Sequence, residues 1–238
     1  MNVLVIGSGG REHAIALKIN QSKKLKSLFC IPGNPGTNKF ATNFNISLTD
    51  YLKISDFCNR QEVDLIVIGP EQPLVDGLSD HLRNEGFKVF GPSANAARIE
   101  ASKAFAKKIM IDADVPTAKY IEFSSSQLIE SISYLEKIDY PTVIKADGLA
   151  AGKGVLICGD KSEAEAAIRE IFEHKIFGDS GNKLIIEDFL EGEEASVFAI
   201  TDGENFICLP AAQDHKRIGD GDTGKNTGGM GAYAPAPI

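Results

Sequence analysis

The length and composition of this sequence indicate a folded protein of one large domain or two modest ones, because 43% of its 238 residues are hydrophobic. Its 25 basic and 33 acidic residues give a formal net charge of -8, whereas a nucleic-acid-binding surface is strongly basic. No basic segment precedes the first apolar run, and no apolar stretch approaches the ~20 residues that span a membrane. We therefore expect a cytoplasmic protein with neither a nucleic-acid nor a membrane partner.

The four cysteines are far apart in the sequence, form no CxxC pair and mostly have apolar neighbours. Such cysteines are typical of reduced thiols in a protein core rather than of disulfides or metal sites. We expect this of Cys30, Cys58, Cys158 and Cys208.

The first third of the sequence alternates short apolar runs, each followed by Gly or Pro, with polar, helix-like stretches. This alternation predicts a Rossmann-like parallel sheet with crossover helices. Apolar residues then recur every four positions from 94 to 110, which predicts one helix that contains the first domain boundary or follows it. We place the first domain at residues 1–100. The predicted strands lie at positions 3–6, 28–31, 65–68 and 89–90.

Residues 101–195 form a second predicted domain with α+β character. Two capping boxes, Ser124 with Gln127 and Ser162 with Glu165, predict helix starts. An apolar stripe after the second box should pack on a sheet; its residues are Ala164, Ala167, Ile168, Ile171 and Phe172. The predicted strands lie at positions 119–123, 142–145, 155–158 and 183–190.

Residues 196–238 are interpreted as the start of a third, incomplete portion. A strand at 195–201 leads into Asp202-Gly203, which predicts a two-residue hairpin turn into a strand at 206–209. The glycine-rich stretch 214–231 is predicted to be a long loop, and long loops are usually functional or disordered.

The first motif that could bind a ligand follows the first strand and reads Gly7-Ser8-Gly9-Gly10-Arg11-Glu12-His13. Glycines at a helix N-terminus let backbone N–H groups approach an anion, which the helix dipole also favours. A dinucleotide fingerprint would need a third glycine where Glu12 stands, so a single phosphate fits this motif better than NAD or FAD.

Two further loops follow predicted strands and read PGNPGT at 32–37 and GPEQPL at 69–74. In open α/β sheets, ligands bind at the carboxyl ends of the strands, where all three loops would lie. Each loop is equally consistent with ordinary turn chemistry, and only their combination favours a site.

A pair of lysines flanks a small-residue loop in the segment 143–155. Lys145 ends one predicted strand and Lys153 stands between glycines before the next, so their ammonium groups could clamp a polyphosphate. The segment is not a Walker A motif, because Gly154 replaces the hydroxyl residue and a strand follows. The alternative is that both lysines are simply solvated.

An acidic run follows the apolar strand residues of segment 185–195. Backbone groups near Phe189 and Leu190 could pair with an adenine edge while a carboxylate accepts from ribose hydroxyls. A charged surface turn would have the same sequence, and the spacing does not decide between these interpretations.

The segment from Gln213 to Gly231 begins with mixed charges and is then rich in glycine. Such a segment suits a lid that orders over an anionic substrate. His215 has no partner at metal-ligand spacing, so we do not expect a metal site there.

Seven segments occur in the order in which one known family carries them. They read GSGGREHA, PGNPGT, GPEQPL, SKAFAK, VIKADGLAAGKGV, EDFLEGEEAS and QDHKRIGDGDTGKNTGGMGAYAPAP. On these segments the sequence resembles, over its whole length, the glycinamide ribonucleotide synthetases of purine biosynthesis. The resemblance implies an ATP-grasp ligase in which ATP phosphorylates the carboxylate of glycine and the amine of 5-phosphoribosylamine attacks the acyl phosphate.

The resemblance also implies roles for individual residues. Lys103, Lys145 and Lys153 would contact the ATP phosphates, and the loop of Gly152, Gly154 and Val155 would lie above them. Glu187, Phe189 and Leu190 would frame the adenine, and Glu194 would bind the ribose. Phosphoribosylamine would face Gly9, Gly10, Asn34, Gly36 and Glu71, and the substrates would be covered by Asp214, Lys216, Gly228 and Gly229.

Members of this family continue beyond the segment that corresponds to Ile238. The resemblance implies that the ligands of Mg²⁺ or Mn²⁺ follow this point and that the 238-residue chain alone has little or no ligase activity. Two alternatives stay open: another ATP-grasp carboxylate-amine ligase, and a non-catalytic nucleotide-binding fragment. The sequence does not determine the oligomeric state.

Overall fold

The structure, a computed structural model, describes residues 1–150, 154–221 and 223–237. The chain divides into two compact units, Met1–Ala106 and Lys107–Ile238, and each is described by itself. Among the described residues, no helix combines the length and apolar content needed to cross a membrane.

The first unit is built on a five-stranded parallel sheet with the strand order β3-β2-β1-β4-β5. The strands are β1 (Asn2–Gly7), β2 (Ser27–Pro32), β3 (Thr42–Asn43), β4 (Leu65–Ile68) and β5 (Val89–Phe90). The helices are α1 (Gly10–Asn20), α2 (Tyr51–Arg60), α3 (Glu71–Val75), α4 (Leu78–Asn84), α5 (Ala94–Ala101) and α6 (Lys103–Asp112), the last of which runs across the unit boundary. The four predicted strands are confirmed, and the two-residue β3 was not predicted because it is too short to show a pattern.

The central strands β1 and β4 are apolar through most of their length because both faces of the sheet are covered there. Successive residues of β1 point to opposite faces, so Leu4 and Ile6 join one core cluster while Val3 and Val5 join another. Every residue of β1 is buried. The parallel arrangement brings the carboxyl ends of β1, β2 and β4 to one edge, where the three predicted ligand loops begin.

The single helix predicted at 94–110 is wrong, because the chain breaks at Ser102 into α5 and α6. Ser102 adopts an extended backbone, with φ -140° and ψ 115°, and its Oγ accepts a hydrogen bond from the N–H of Phe105 at 3.1 Å. A serine hydroxyl that satisfies an N–H group at a helix start favours this break over a continuous helix. Ile109, the last of the apolar residues at this four-residue spacing, is exposed.

The second unit contains a four-stranded antiparallel sheet with the order β6-β9-β7-β8. The strands are β6 (Tyr120–Ser124), β7 (Thr142–Ala146), β8 (Val155–Cys158) and β9 (Lys183–Asp188), and the helices are α7 (Leu128–Tyr134) and α8 (Lys161–Phe172). The predicted apolar stripe of α8 is buried against one face of this sheet, beside Ile144, Leu184 and Ile186. The stripe is therefore confirmed.

The predicted helix cap at Ser162 is wrong, because α8 begins two residues earlier. Its N-cap is Asp160, whose Oδ1 accepts from the N–H of Glu163 at 2.9 Å. An aspartate is as good an N-cap as a serine, so the sequence offered two starting points of similar quality. The box of Ser124 and Gln127 is present, but it opens a 3₁₀ turn ahead of α7.

Two antiparallel hairpins complete the second unit, formed by β10 (Ala199–Thr201) with β11 (Phe206–Cys208) and by β12 (Gln213–Gly219) with β13 (Thr223–Tyr233). The turn of the first is a four-residue loop rather than the predicted two-residue turn. Asp202 Oδ1 accepts from the N–H groups of Glu204 and Asn205, at 3.0 and 2.7 Å, which favours the wider turn.

The prediction of an irregular loop at 214–231 is wrong, because β12 and β13 occupy it. Much of this hairpin is exposed, and its pairing shifts register between His215 and Gly219. Because none of its described side chains is buried, the hairpin needs no alternation of apolar residues, and its many glycines have no side chain that could show one.

Three of the four cysteines are core thiols as predicted, whereas Cys208 is exposed on β11. Burial raises the pKa of Cys58 to about 12. The pKa of Cys158 rises to about 11 through burial and the nearby charges of Glu163 and Asp160. These two thiols are therefore protonated and unreactive at neutral pH.

Candidate functional site

The glycine motif after β1 surrounds a carboxylate of the protein itself. Glu12 lies in the first turn of α1, is almost fully buried, and accepts a hydrogen bond from the N–H of Gly9 at 2.7 Å. A Cβ added at Gly9 would lie 2.9 Å from Glu12 Oε2, and one at Gly7 or Gly69 would also overlap this side chain. The glycines therefore make room for Glu12, which occupies part of the helix terminus that the sequence assigned to a phosphate. A Cβ at Gly10 would meet nothing within 4 Å.

Asn34 ties the loop after β2 to the loop after β1. Its Nδ2 donates to the carbonyl oxygen of Ser8 at 2.9 Å, and its Oδ1 accepts from the N–H groups of Gly36 and Thr37 at 2.8 and 3.0 Å. A Cβ at Gly36 would lie 2.8 Å from the ring of His13, so this loop packs closely on α1. Asn34 therefore uses most of its side-chain hydrogen bonds to hold these two loops together.

The loop after β4 is joined to the same edge by an ion pair. Arg11 Nη2 lies 2.7 Å from Glu71 Oε1, and Arg11 Nη1 donates to the carbonyl oxygen of Gly69 at 3.3 Å. Partial burial alone would raise the pKa of Glu71, but the Arg11 hydrogen bond, a backbone hydrogen bond and the Arg11 charge hold it below its ordinary value. The structure therefore brings all three predicted loops together through side chains within the first unit.

The second unit contains a buried carboxylate between two ammonium groups. Glu187 Oε1 forms an ion pair with Lys145, and Lys107 Nζ lies 2.6 Å from Glu187 Oε2. The side chains of Glu187, Lys107 and Lys145 are 5, 11 and 26% exposed, so Lys145 is the most accessible member. Two positive charges against one negative charge leave this cluster with a formal surplus of +1, which suits an anionic ligand.

The register of the sheet explains why these residues meet. Glu187 on β9 pairs directly with Val143 on β7, and Lys145 lies two residues farther along β7, so both side chains project from the same face. This is the face opposite α8, because Ile144 and Ile186 alternate toward the α8 core. The backbone oxygen of Glu187 accepts from Thr142 Oγ1 at 3.0 Å. The side chain predicted to frame an adenine is therefore already engaged by lysines.

The described residues at the two ends of the loop between β7 and β8 are closely packed. Gly148 donates its N–H to the carbonyl oxygen of Ser180 at 3.0 Å, and Ser180 Oγ donates to the carbonyl oxygen of Leu149 at 2.7 Å. A Cβ at Gly154 would lie 2.8 Å from the Cβ of Ala150. The predicted site residues Gly152 and Lys153 lie outside the described residues. Val155 opens β8 directly opposite Lys145.

A cavity of about 330 Å³ lies where β9 ends. Leu190, predicted to lie beside an adenine, is exposed just after this strand, and Phe189 is half-buried. The residues that line the cavity are Asp139, Tyr140, Pro141, Asp188, Phe189 and Glu191.

Three predicted site residues from two motifs meet on β12 and beside it. Lys216 Nζ lies 2.9 Å from Glu194 Oε2 and 3.7 Å from Asp214 Oδ1. The hydrogen bond to Glu194 outweighs burial and, with the charges of Glu194 and Asp214, raises the pKa of Lys216. Thr227 Oγ1 donates to the carbonyl oxygen of Lys216 at 2.8 Å and accepts from the N–H of Gly229 at 3.0 Å. Glu194, the predicted ribose ligand, therefore forms one cluster with Asp214 and Lys216, two of the predicted substrate ligands.

A second cavity, of about 270 Å³, lies against the β12–β13 hairpin. Its lining consists of His215, Arg217, Ile218, Gly219, Asp220, Gly221 and Met230.

Sequence reasoning missed Lys107, Glu12 and Arg11 as members of these clusters. Lys107 and Lys108 are adjacent in the sequence, and only packing against the sheet makes the first buried and the second exposed. Glu12 was noticed only as a departure from a glycine pattern. The motif itself could have indicated this role. A glutamate among glycines occupies the space that their missing side chains leave.

The family models match the whole chain in two adjacent parts. The N domain of phosphoribosylglycinamide synthetase matches residues 1–100, and the ATP-grasp (A) domain of the same enzyme matches residues 101–238. The chain belongs to the phosphoribosylglycinamide synthetase family. The resemblance found on the seven sequence segments is therefore confirmed.

Curated relatives in this family align with the whole chain at about half identity. Phosphoribosylamine–glycine ligase of Escherichia coli (strain K12) is 48% identical over 240 residues, and that of Rhodopirellula baltica is 50% identical over 243 residues. The chain spans 56 and 55%, respectively, of the length of these relatives.

Solved structures confirm the predicted fold class, a Rossmann-like parallel sheet followed by an ATP-grasp α+β portion. Phosphoribosylamine–glycine ligase from Thermotoga maritima is 37% identical and matches with a TM-score of 0.81 over 100% of this chain and 56% of that chain. The biotin carboxylase domain of the Hydrogenobacter thermophilus 2-oxoglutarate carboxylase, solved with MgADP, matches at 19% identity with a TM-score of 0.71. That match covers 91% of this chain and 50% of the other, and at this identity it shows the fold alone.

Proposed function

We propose that the protein carrying this chain joins glycine to 5-phosphoribosylamine and cleaves ATP to ADP and phosphate. The family supports this reaction, since relatives that align with the whole chain are named phosphoribosylamine–glycine ligase. A carboxylate oxygen of glycine would take the terminal phosphoryl group of ATP and release ADP. The amine of phosphoribosylamine would then attack the carbonyl carbon of the glycyl phosphate, lose a proton and expel phosphate as the amide forms.

The observation that carries this proposal is the Lys107–Glu187–Lys145 cluster. Its surplus positive charge lies on a sheet face of the ATP-grasp domain, where a polyphosphate would be neutralised by an accessible ammonium group. We assign the ATP phosphates to Lys103, Lys145 and Lys153, and the loop above them to Gly152, Gly154 and Val155. We assign the adenine to the backbone of Phe189 and Leu190 and the ribose to Glu194.

The substrate assignments follow the two polar clusters. Gly9, Gly10, Asn34, Gly36 and Glu71, at the carboxyl edge of the parallel sheet, are proposed to face phosphoribosylamine. The hairpin residues Asp214, Lys216, Gly228 and Gly229 are proposed to close over the substrates. In this arrangement catalysis consists of positioning and charge neutralisation, because no protein nucleophile is needed.

ATP-grasp neighbours support the use of a divalent metal with the nucleotide, since one was solved with MgADP. The described residues of this chain include no group of three or more side chains that could hold a metal ion. We therefore assign no step to a metal here, and the expectation that its ligands follow Ile238 stays a prediction. When bound, Mg²⁺ or Mn²⁺ would neutralise charge on the ATP phosphates.

The test of this proposal is ADP formation that requires both amino acceptor and carboxylate. With phosphoribosylamine formed in situ from ribose 5-phosphate and ammonia, ADP release by the enzyme should depend on glycine and should stop when acetate replaces it. Equal turnover with formate or bicarbonate would instead indicate another ATP-grasp ligase. For the 238-residue chain alone we predict nucleotide binding without ligation, and full ligation by this chain would contradict that prediction.

A further inference from the structure

We propose that Lys107 is a positioning residue that keeps Glu187 charge-compensated, so that Lys145 can leave Glu187 and contact the phosphates of the nucleotide. This inference rests on the proposed ATP site and adds a residue that does not itself touch the ligand. Its basis is the arrangement of one buried carboxylate between two lysines that differ in their hydrogen-bond partners and in their exposure.

Lys107 is held in place by several partners. Its Nζ donates to Thr117 Oγ1 at 2.7 Å and to the carbonyl oxygen of Ala118 at 3.1 Å, and it lies 2.6 Å from Glu187 Oε2. The ammonium group also lies 5.5 Å from the centroid of the Tyr120 ring. Two hydrogen bonds and one ion pair therefore hold the Lys107 ammonium group beside the carboxylate.

Lys145 is bound far less completely. In the part of the chain that the structure describes, Glu187 is its one ion-pair partner, and its side chain is about a quarter exposed, at 26%. Its long flexible stem can turn toward a phosphate without disturbing the strand that carries it. Lys145 is thus the member of the cluster that can exchange partners.

The two lysines together make this exchange favourable. If Glu187 faced Lys145 alone, departure of Lys145 would leave an unpaired buried carboxylate, which is strongly unfavourable. With Lys107 in place, Glu187 keeps an ion-pair partner when Lys145 departs. The charge of Lys145 is then available to bind the phosphate. Removing Lys107 should therefore make Glu187 compete with the nucleotide for Lys145.

The experiment measures affinity for ATP and for adenosine by calorimetry on the 238-residue chain and its variants. Lys107→Met keeps an unbranched apolar stem of similar shape and removes the ammonium group. We expect it to weaken ATP binding at least about tenfold, which is about 1.4 kcal/mol, while the affinity for adenosine stays the same. Lys108→Met, at the exposed neighbouring position, should bind both ligands as the parent chain does.

The double variant Lys107→Met with Glu187→Gln separates this role from a merely structural one. It removes both buried charges, leaves Lys145 opposite a neutral amide, and should recover most of the ATP affinity lost in Lys107→Met. Lys107→Arg keeps a positive charge beside Glu187 and should retain the ATP affinity of the parent, which remains measurable if Lys107→Met does not fold. Unchanged ATP affinity in Lys107→Met, no recovery of the ATP affinity relative to the adenosine affinity in the double variant, or loss of ATP affinity in Lys107→Arg would each overturn the inference.

Failure of the underlying ATP site would look different. In that case the parent chain would bind ATP no better than adenosine, and Lys145→Ala would change neither affinity. If Lys145→Ala abolished the preference for ATP over adenosine while Lys107→Met changed neither affinity, the ATP site would stand. Only the role of Lys107 would then be refuted.

Discussion

Replacement of Glu12 tests whether the glycine motif is built around this carboxylate. Glu12→Ala removes an acceptor that bonds to the N–H of Gly9 at 2.7 Å and vacates a space bounded by Gly7 and Gly69. A hydrogen bond to a charged acceptor contributes about 1.5–3 kcal/mol, and the helix dipole about 0.3–1 kcal/mol more. Release of the buried carboxylate to water offsets part of this, so we expect a net loss of about 2 kcal/mol for the alanine variant.

Glu12→Gln serves as the matched variant, because it fills the same space and keeps an oxygen that can accept from Gly9. Only the charge is lost, so we expect a smaller change of about 1 kcal/mol. Hydrogen exchange of the amides in β1 and β4 reads the free energy of opening this sheet. Equal losses in the two variants, or a loss below about 0.5 kcal/mol in the alanine variant, would refute this account of the motif.

Three further changes test other parts of the structure. Gly69→Ala should destabilise the first unit by about 1–3 kcal/mol in thermal unfolding, because the new methyl group overlaps a buried carboxylate, whereas Gly10→Ala should not. Asp160→Ala should lower the free energy of unfolding by about 1 kcal/mol, and Ser162→Ala should lower it much less. The reverse order would indicate that Ser162 is the cap, as the sequence pattern predicted. Since the folded-state pKa of Glu71 is lowered, its contribution is present above its unfolded pKa of about 4.3 and is lost as the pH falls through the folded value. In Glu71→Gln the free energy of unfolding should therefore fall less steeply as the pH is lowered below about 4.3 than in the parent chain, as urea midpoints at several pH values would show.

The parallel sheet could be predicted from sequence because its strands are buried on both faces. A continuous apolar run followed by Gly or Pro is then the only pattern that the strand can show, as in β1 and β4. The stripe of α8 was predictable for the related reason that a helix packed on a sheet repeats its apolar residues every three to four positions.

The elements that were mispredicted lack such a pattern. Among its described residues the β12–β13 hairpin has no buried side chain, so its glycine content was its most visible feature in the sequence. The break at Ser102 depends on one hydroxyl group that can cap α6 as easily as it can sit within a helix. In both cases the deciding interaction is too local or too exposed to leave a periodic signal.

Individual residues of the candidate site were predicted from sequence, but the contacts between them were not. Lys145 and Glu187 lie 42 positions apart, and only the antiparallel register of β7 with β9 brings their side chains to one face. Lys107 was missed because its burial depends on the position of α6, which no local pattern encodes. Long-range pairing of this kind is a property of the folded sheet and not of any segment.

ATP is proposed to bind in the second unit, on the sheet face that carries Lys145. Amide chemical shifts of the ¹⁵N-labelled chain, recorded during an ATP titration, test this claim most directly. We predict that the largest changes occur on β7, at Val155 and between Glu187 and Leu190. Changes confined to the glycine motif at residues 7–10 would contradict the claim and would place the nucleotide in the first unit.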